Sequence, residues 1–228
     1  MLLESINKTY HNHNEDIQAL NNINLYIQEK GMIFIVGQSG CGKTSLLHII
    51  SGKDNDFTGH IERDGKIEVV EQDILLMESM KVIDNLLIVN NNRQLIDEWL
   101  EKFHMKEFVH QKVKKLSVGQ KKRIQIIRSL LVESDYLICD EPTASLDYEN
   151  AEIIMEILQT ISQDKSVIIV THEVALIEKY ADRIITMKKG KVVNDKVVNE
   201  KEQLIINKIS DISKSNNQRL RFLIKSLK

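Results

Sequence analysis

The sequence predicts an α/β fold with a mostly parallel sheet flanked by helices. Three observations indicate this fold: short apolar runs alternate with helical patterns, a glycine-rich loop joins one run to a helix, and another run ends in two acidic residues. Strands that alternate with helices form parallel sheets with covered faces. Ligands of such sheets bind at the carboxyl ends of the strands, so we expect a site there.

The composition agrees with a folded domain and excludes several classes. The chain has 228 residues, 42% of them hydrophobic, and a net charge of −2. This length suits one large or two small domains, and the charge gives no sign of a nucleic-acid partner. Cys41 and Cys139 have no paired spacing, so we expect neither a disulfide framework nor a zinc site. The N-terminus is too polar for a signal peptide, and no apolar stretch approaches the ~18 residues of a membrane span.

Strands and helices of the first half follow from residue patterns. Alternation predicts strands around Leu3–Ile6 and over Leu20–Ile27, and the apolar run Met32–Val36 predicts a buried central strand. A helix is predicted over Thr44–Ile50. Ile61–Val70 predicts a short hairpin around Asp64-Gly65. Val82–Val113 is predicted to be largely helical, with a break at Asn90–Asn92.

The second half continues the alternation, without internal repeats. It predicts helices over Ser117–Leu131, Asn150–Ser162 and Val174–Tyr180, and strands over Tyr136–Cys139, Val167–Thr171, Arg183–Met187 and Lys191–Val193.

The glycine-rich loop after Met32–Val36 has a phosphate-binding pattern. Gly37-x4-Gly42-Lys43-Thr44 satisfies the Walker A pattern of P-loop NTPases. Its glycines let backbone N–H groups curl around an anion, and the following helix adds its positive dipole end. Lys43 supplies a charge for the β- and γ-phosphates, and the Thr44 hydroxyl is a hard oxygen ligand for Mg²⁺. The strand and helix that flank the loop argue against a chance glycine-rich turn.

The apolar run Tyr136–Cys139 ends in Asp140 and Glu141. Asp140 is placed to hold Mg²⁺ through water, and Glu141 to orient or deprotonate the attacking water. Taken alone, the pair would fit a solvated acidic turn equally well. The Walker A loop favours the functional interpretation.

These motifs, taken in order, resemble the ATP-binding cassette of ABC transporters. The matching elements span residues 3 to about 195, and P-loop proteins of other families lack LSxGQ before the acidic strand. They are Tyr10, GQSGCGKT, Gln72, LSVGQ, ICDEPTASLD and His172. The resemblance implies a small antiparallel β subdomain, an inserted helical subdomain at about 75–130, and an ATPase domain over 1–207.

The resemblance implies roles for the nucleotide-binding positions. Tyr10 would stack on adenine, His172 would contact the γ-phosphate, and Gln72 would touch Mg²⁺ or the lytic water and sense a membrane partner. Their alternatives are a strand-edge tyrosine, a structural histidine and an ordinary loop glutamine. The ATP-binding positions would be Tyr10, Gly37, Gln38, Ser39, Gly40, Cys41, Gly42, Lys43, Thr44 and Ser45; the metal ligands Thr44, Gln72 and Asp140; and the catalytic residues Glu141, His172 and Gln72.

Two further motifs imply a dimer. Through the hydroxyl and N–H groups of Ser117 and Gly119, the signature would contact a γ-phosphate bound on another subunit. The D-loop would cross the dimer interface. The signature comprises Leu116, Ser117, Val118, Gly119 and Gln120, and the D-loop Ser145, Leu146 and Asp147. Two cassettes would thus close head to tail over two ATP molecules.

The sequence departs from the family in three places. Val118 replaces the usual glycine of the signature, which leaves the rate of turnover open. Only 29 positions (72 − 43) separate Lys43 from Gln72, so we expect a shortened β subdomain. Ile126 and Ile127 stand where the family often has alanines.

The last residues have their own pattern. From Ser213 to Lys228 there are basic residues but no acid, and Leu220, Leu223, Ile224 and Leu227 repeat at helical spacing. A basic amphipathic segment over 208–228 suits an anionic membrane surface, or it docks on the domain itself. In exporters that fuse such a domain ahead of an FtsX-like permease, a similar segment leads into the first membrane helix. With its TASLD and THE motifs and short C-terminus, the sequence most resembles the MacB-like and bacitracin-export-like group.

We therefore expect an ATP- and Mg²⁺-dependent subunit or domain of a transporter. It would lie peripherally on the cytoplasmic side of the membrane, with an integral permease as partner and no nucleic acid. Two alternatives stay open: a soluble ABC ATPase of DNA repair or translation, and a regulatory FtsX-linked module. The single cassette, the absence of sustained heptads and the near-neutral charge argue against the first.

Overall fold

The computed structural model describes residues 1–11, 15–172 and 174–198 of the chain. The basic segment at 208–228 lies outside these residues. Among them, no helix has the length and apolar character needed to cross a membrane.

Nine strands form two sheets in the described residues. The strands are β1 (Leu2–His11), β2 (Asp16–Tyr26), β3 (Gly31–Val36), β4 (Thr58–Glu62), β5 (Ile67–Val70), β6 (Tyr136–Asp140), β7 (Ser166–Val170), β8 (Arg183–Lys188) and β9 (Lys191–Val197). The larger sheet has the order β5-β6-β7-β3-β8-β9. Its strands are parallel except β9, which pairs antiparallel with β8. The predicted mostly parallel α/β sheet is confirmed.

The smaller sheet is antiparallel, with the order β2-β1-β4. The predicted hairpin over Ile61–Val70 is wrong, because β4 pairs with β1 whereas β5 pairs in parallel with β6. The turn at Asp64-Gly65 is a crossover between the sheets. The Tyr136 hydroxyl donates to Asp64 Oδ1 at 2.7 Å, and the Lys66 N–H donates to Asp135 Oδ2 at 2.7 Å. These long-range bonds direct the chain to β6 instead of back along β4.

Six α-helices accompany the sheets in the part of the chain that the structure describes. They are α1 (Lys43–Ser51), α2 (Val82–Leu87), α3 (Arg93–Lys102), α4 (Val118–Leu130), α5 (Tyr148–Ser162) and α6 (Val174–Tyr180), with 3₁₀ turns at Lys106–Phe108 and Val113–Lys115. The predicted break at Asn90–Asn92 is confirmed, since the Asn92 side chain caps α3 by accepting from the Leu95 N–H at 3.2 Å.

Strand β9 runs four residues beyond its predicted end at Val193. The polar residues at its end are typical of a loop. However, Asp195 forms a bidentate ion pair with Arg183 of β8, with N–O distances of 2.7 and 2.6 Å. The Arg183 side chain is buried. A buried, paired guanidinium therefore extends the strand pairing where hydrophobic alternation stops.

The central strand β3 is buried on both faces. Met32 and Phe34 of β3 pack in one apolar cluster with side chains of α2 to α6, whereas Ile33 and Ile35 pack in a second cluster with α1 and the smaller sheet. Burial on both faces explains why β3 is apolar at consecutive positions. The clusters fix the carboxyl ends of β3, β6 and β7 side by side.

A buried lysine connects the smaller sheet to the segment after α1. The Lys8 Nζ lies 2.9 Å from Asp54 Oδ2 and 2.6 Å from the Asp56 carbonyl oxygen, and only 4% of the side chain is exposed. Removing this cation takes a donor away from the partly buried Asp54 carboxylate and from the Asp56 carbonyl oxygen.

We therefore expect Lys8→Met to lower the free energy of unfolding by about 1–3 kcal/mol, measured by urea denaturation. The matched control is Lys66→Met, because Lys66 and its partner Glu133 are exposed. Its urea midpoint should stay nearly unchanged. Equal effects of the two changes would contradict the assignment of Lys8 as a structural cation.

Candidate functional site: a phosphate loop beside an acidic strand end

The loop between β3 and α1 is held in place by close backbone approaches. At Gly42, where φ is 105°, an added Cβ would lie 2.4 Å from the Ala19 carbonyl oxygen. At Gly37, an added Cβ would lie 2.4 Å from the Met187 carbonyl oxygen. Only glycine fits these positions, so the loop backbone can curve tightly with its N–H groups directed at one region.

Lys43, the lysine of the phosphate loop, bonds to the backbone of the same loop. Lys43 Nζ donates to the carbonyl oxygens of Gly37 at 2.8 Å and Gln38 at 3.2 Å. The Cys41 side chain is instead buried, and its carbonyl accepts from the Gly190 N–H at 2.9 Å. Cys41 thus anchors the loop to the β8–β9 turn, and its side chain does not line the cleft.

The loop opens onto a cleft of about 710 Å³. Most nucleotide-site residues predicted from the sequence line it, which brings together positions from five segments of the chain. The lining comprises Tyr10, Gly37, Gln38, Ser39, Gly40, Gly42, Lys43, Thr44, Ser45, Gln72, Asp140, Glu141 and His172, together with Ile17, Gln18, Ala19, Ala144 and Val170.

Tyr10 is at the edge of this cleft. Its side chain is 37% exposed, and its hydroxyl donates to Ser45 Oγ at 3.2 Å. Sequence reasoning missed Ile17, which pairs with Tyr10 across β1 and β2 and is also exposed. Extending the predicted first two strands toward each other would have found it. Tyr10 and Ile17 together give the cleft an apolar end.

The acidic strand end, Asp140 and Glu141, also lines the cleft. Burial and the neighbouring Glu141 raise the pKa of Asp140 above its usual value, and this is opposed by the basic side chains of His48, Lys122 and Lys43. An additional cation near Asp140 would therefore stabilise the charged form of its carboxylate.

Glu141 is paired with His172. Glu141 has a φ of 46°, and its Oε1 lies 2.9 Å from His172 Nδ1. Its carboxylate is 14% exposed, and its Oε2 is buried without a hydrogen-bond partner in the described part of the chain. The structure thus brings two predicted catalytic residues into contact, and one carboxylate oxygen of Glu141 accepts no hydrogen bond from the described residues.

The signature residues do not line the cleft. Ser117 Oγ accepts from the Gln120 N–H at 3.2 Å, and Gln120 Oε1 accepts from the Ser117 N–H at 2.9 Å, which caps α4. Leu116 is buried, while Val118 is 54% exposed at the start of the helix. Gly119 packs against Asn150, where an added Cβ would lie 3.2 Å from the side-chain amide.

The D-loop residues also lie outside the cleft lining. Ser145 is exposed with a φ of 66°, and Leu146 packs on the larger core cluster. Asp147 caps α5, because its Oδ1 accepts from the Asn150 N–H at 2.8 Å. Asn150 therefore contacts both the D-loop and the signature helix.

The donor set of the cleft fits a magnesium ion that is shared with phosphate. No three His, Cys, Asp or Glu side chains converge as a metal cluster anywhere in the described ranges. Mg²⁺ needs no such cluster, since it is commonly held by one or two protein oxygens together with substrate phosphates and water. The Thr44 hydroxyl and the Asp140 carboxylate supply oxygens of this kind beside the phosphate loop.

A strand–loop–helix phosphate cradle beside an acidic strand end defines a P-loop nucleotide-binding domain. The family described as "ABC transporter" matches residues 20–144, which are 125 of the 228 residues. The chain belongs to this family and is an ATP-binding domain whose family hydrolyses ATP.

Individual relatives agree with this family assignment. The ABC transporter ATP-binding protein MG467 of Mycoplasma genitalium is 34% identical, over 85% of this chain and 72% of its own length. The lipoprotein-releasing system ATP-binding protein LolD of Buchnera aphidicola is 30% identical, over 86% of this chain and 98% of its own. A dimeric structure of the ATP-binding cassette MJ0796, bound to ADP and Pi, has a TM-score of 0.76 at 29% identity and covers 87% of this chain and 98% of its own.

Proposed function

We propose that this chain powers a membrane transporter by closing as a head-to-tail dimer over two ATP molecules. The observation that carries the proposal is the separation of two half-sites. The phosphate loop lines the cleft, whereas Ser117 and Val118 are exposed outside it. A second chain would bring its signature to this cleft and complete the site.

Within one chain, the cleft residues have separate tasks. Tyr10 and Ile17 receive the flat adenine ring, and the loop N–H groups with Lys43 hold the phosphates. Thr44, Asp140 and the Gln72 side chain would hold Mg²⁺, which when bound neutralises charge on the phosphates. Lys43 must leave the carbonyls of Gly37 and Gln38 to reach them.

Hydrolysis needs a base for the attacking water. Glu141 is proposed for this task because its Oε2 has no hydrogen-bond partner among the described residues, while its Oε1 is oriented by His172. Water attacks the γ-phosphorus, its proton passes to Glu141, and the bond to the β-phosphate oxygen breaks to leave ADP and phosphate. Once the γ-phosphate, which contacts both chains, has been cleaved from ATP, the two chains can separate.

The membrane partner is proposed to dock on the surface that follows Gln72. Leu75, Met77, Ile88 and Val89 are large apolar side chains with 38–56% exposure. Apolar side chains grouped on a surface are typical of interaction sites. We propose one ATPase domain over 1–207, with a helical subdomain at about 75–130 and the basic segment 208–228 next to the membrane. This would make the chain a peripheral translocase subunit or domain on the cytoplasmic side, in the MacB-like or bacitracin-export-like group.

The dependence of activity on chain concentration tests the composite site. Because each site needs two chains, phosphate release per chain should rise with concentration and then level off. Removing Mg²⁺ with EDTA should abolish release. A rate per chain that is independent of concentration down to the lowest measurable level would contradict the dimer.

Membrane fractionation tests the coupling. We expect the chain, expressed from its natural gene context, to copurify with an integral membrane protein. Recovery only in the soluble fraction would instead favour a soluble ABC ATPase. Copurification without ATP-dependent substrate movement would favour a regulatory module.

A further inference from the structure

The backbone that carries Gln72 is held by side chains from α4. Lys122 Nζ donates to the carbonyl oxygens of Glu71 and Gln72, both at 2.8 Å. Gln125 Nε2 donates to the carbonyl oxygens of Glu71 at 3.2 Å and Asp73 at 2.8 Å. Four hydrogen bonds from one helix thus fix three consecutive carbonyl groups.

These two donors are buried, although both residue types are normally exposed. Lys122 is 3% exposed and Gln125 is 2% exposed. Burial lowers the pKa of Lys122, and Cys139, Asp140 and Asp73 oppose this effect. A lysine is kept in such surroundings only when its donors are used. Here they satisfy the backbone just after β5, which ends at Val70.

The same segment has a second anchor, through a side chain instead of the backbone. The Glu71 carboxylate forms an ion pair with Lys53, which follows α1, the helix that begins with the phosphate-loop lysine. Residues 71–73 are therefore bonded to the phosphate-loop side through one carboxylate and to α4 through three carbonyls.

Helix α4 begins in the signature. Ser117 caps the helix, and Lys122 follows five residues later, about 7.5 Å along the axis at 1.5 Å per residue. A short helical stretch moves as a rigid rod, so a displacement at Ser117 reaches the carbonyls of residues 71–73 without an intervening loop.

From these contacts we infer that Lys122 and Gln125 are positioning residues, which place the Gln72 side chain according to the position of α4. The inference rests on the proposed function, in which Ser117 contacts nucleotide on the partner chain. Engagement of the signature would shift α4 and, through these hydrogen bonds, change the position of Gln72 within the cleft. Lys122 and Gln125 do not line the cleft, so they act through Gln72 and not on the nucleotide.

Lys122→Met tests this inference, since methionine keeps the length of the side chain but donates nothing. Turnover at saturating ATP should fall on the order of tenfold because Gln72 is misplaced. The KM for ATP should change less than about threefold, since the phosphate loop is intact. Lys122→Arg, which still donates, should recover much of the rate. Gln125→Met should act in the same direction, and it carries the test if Lys122→Met does not fold.

The matched control is Lys106→Met, because Lys106 is 61% exposed and lies between α3 and α4. Its turnover should equal that of the wild type. If the wild type hydrolyses ATP and both Lys122→Met and Gln125→Met match it, the inference is overturned while the proposed function stands. If the wild type does not hydrolyse ATP, the proposed function itself has failed.

Amide hydrogen exchange gives a readout that separates positioning from general stability. In Lys122→Met, peptides covering residues 71–76 should exchange faster, while those covering β3 should keep their protection. Uniformly faster exchange across the chain would show that Lys122 only stabilises the fold, and would overturn the inference.

Discussion

Glu141→Gln is expected to reduce ATP turnover on the order of 100-fold or more while ATP still binds. The amide keeps the size of the side chain and can still contact His172, but it cannot accept the proton of the attacking water. Loss of a general base at this position removes about 10²–10⁴-fold of rate. Phosphate release measures the rate, and equilibrium binding of a fluorescent ATP analogue measures the affinity.

The same change should trap the dimer. If hydrolysis is what opens the two chains, the variant with ATP and Mg²⁺ should elute as a dimer in size-exclusion chromatography, and as a monomer with ADP. The matched control is Glu149→Gln, which alters an exposed carboxylate in the first turn of α5. A Glu141→Gln chain that hydrolyses ATP at the wild-type rate would exclude Glu141 as the base.

The phosphate site was predictable because its determinants are local. The residues from Gly37 to Thr44 are consecutive, and the strand and helix that position them flank them directly. The positions of Asp140 and Glu141 were predictable for the same reason, because an apolar run that ends in acidic residues places them at the end of a strand. Local patterns of this kind carry both the residue types and their placement.

Features that depend on distant pairing were missed. The Asp64-Gly65 pattern favours a hairpin, yet bonds to Asp135 and Tyr136 draw the chain into the other sheet. No local signal encodes those partners. The contact between Glu141 and His172 is similar, because it arises only when β6 and β7 pair side by side.

The burial of polar side chains could not be predicted from the sequence either. In the sequence Lys122 and Gln125 look like exposed residues of a polar helix start, and nothing marks the carbonyls of residues 71–73 as their acceptors. Periodicity assigns faces from hydrophobicity. A lysine that is buried because it satisfies irregular backbone therefore becomes visible only in the assembled fold.

Ser117→Asp is expected to abolish turnover and ATP-driven dimerisation without unfolding the chain. Aspartate caps a helix as well as serine does, so it should preserve the bond that Ser117 Oγ accepts from the Gln120 N–H. Its negative charge would face the γ-phosphate of the partner chain. Like charges across an interface cost several kcal/mol, which corresponds to a loss of at least about 100-fold at ~1.4 kcal/mol per factor of ten.

Ser117→Asn is the matched control, because asparagine also caps the helix but carries no charge. It should retain far more activity than the aspartate variant. Binding of ATP to the isolated chain should be the same in both, since Ser117 does not line the cleft that holds the phosphate loop.

Mixing the aspartate variant with a Lys43→Ala chain sharpens the test. In the mixed dimer one site combines an intact Lys43 with an intact Ser117, so some hydrolysis should return that neither variant shows alone. If Ser117→Asp impairs ATP binding by the single chain, or leaves turnover intact, the signature does not act on a second subunit, and the cleft must hydrolyse ATP without it.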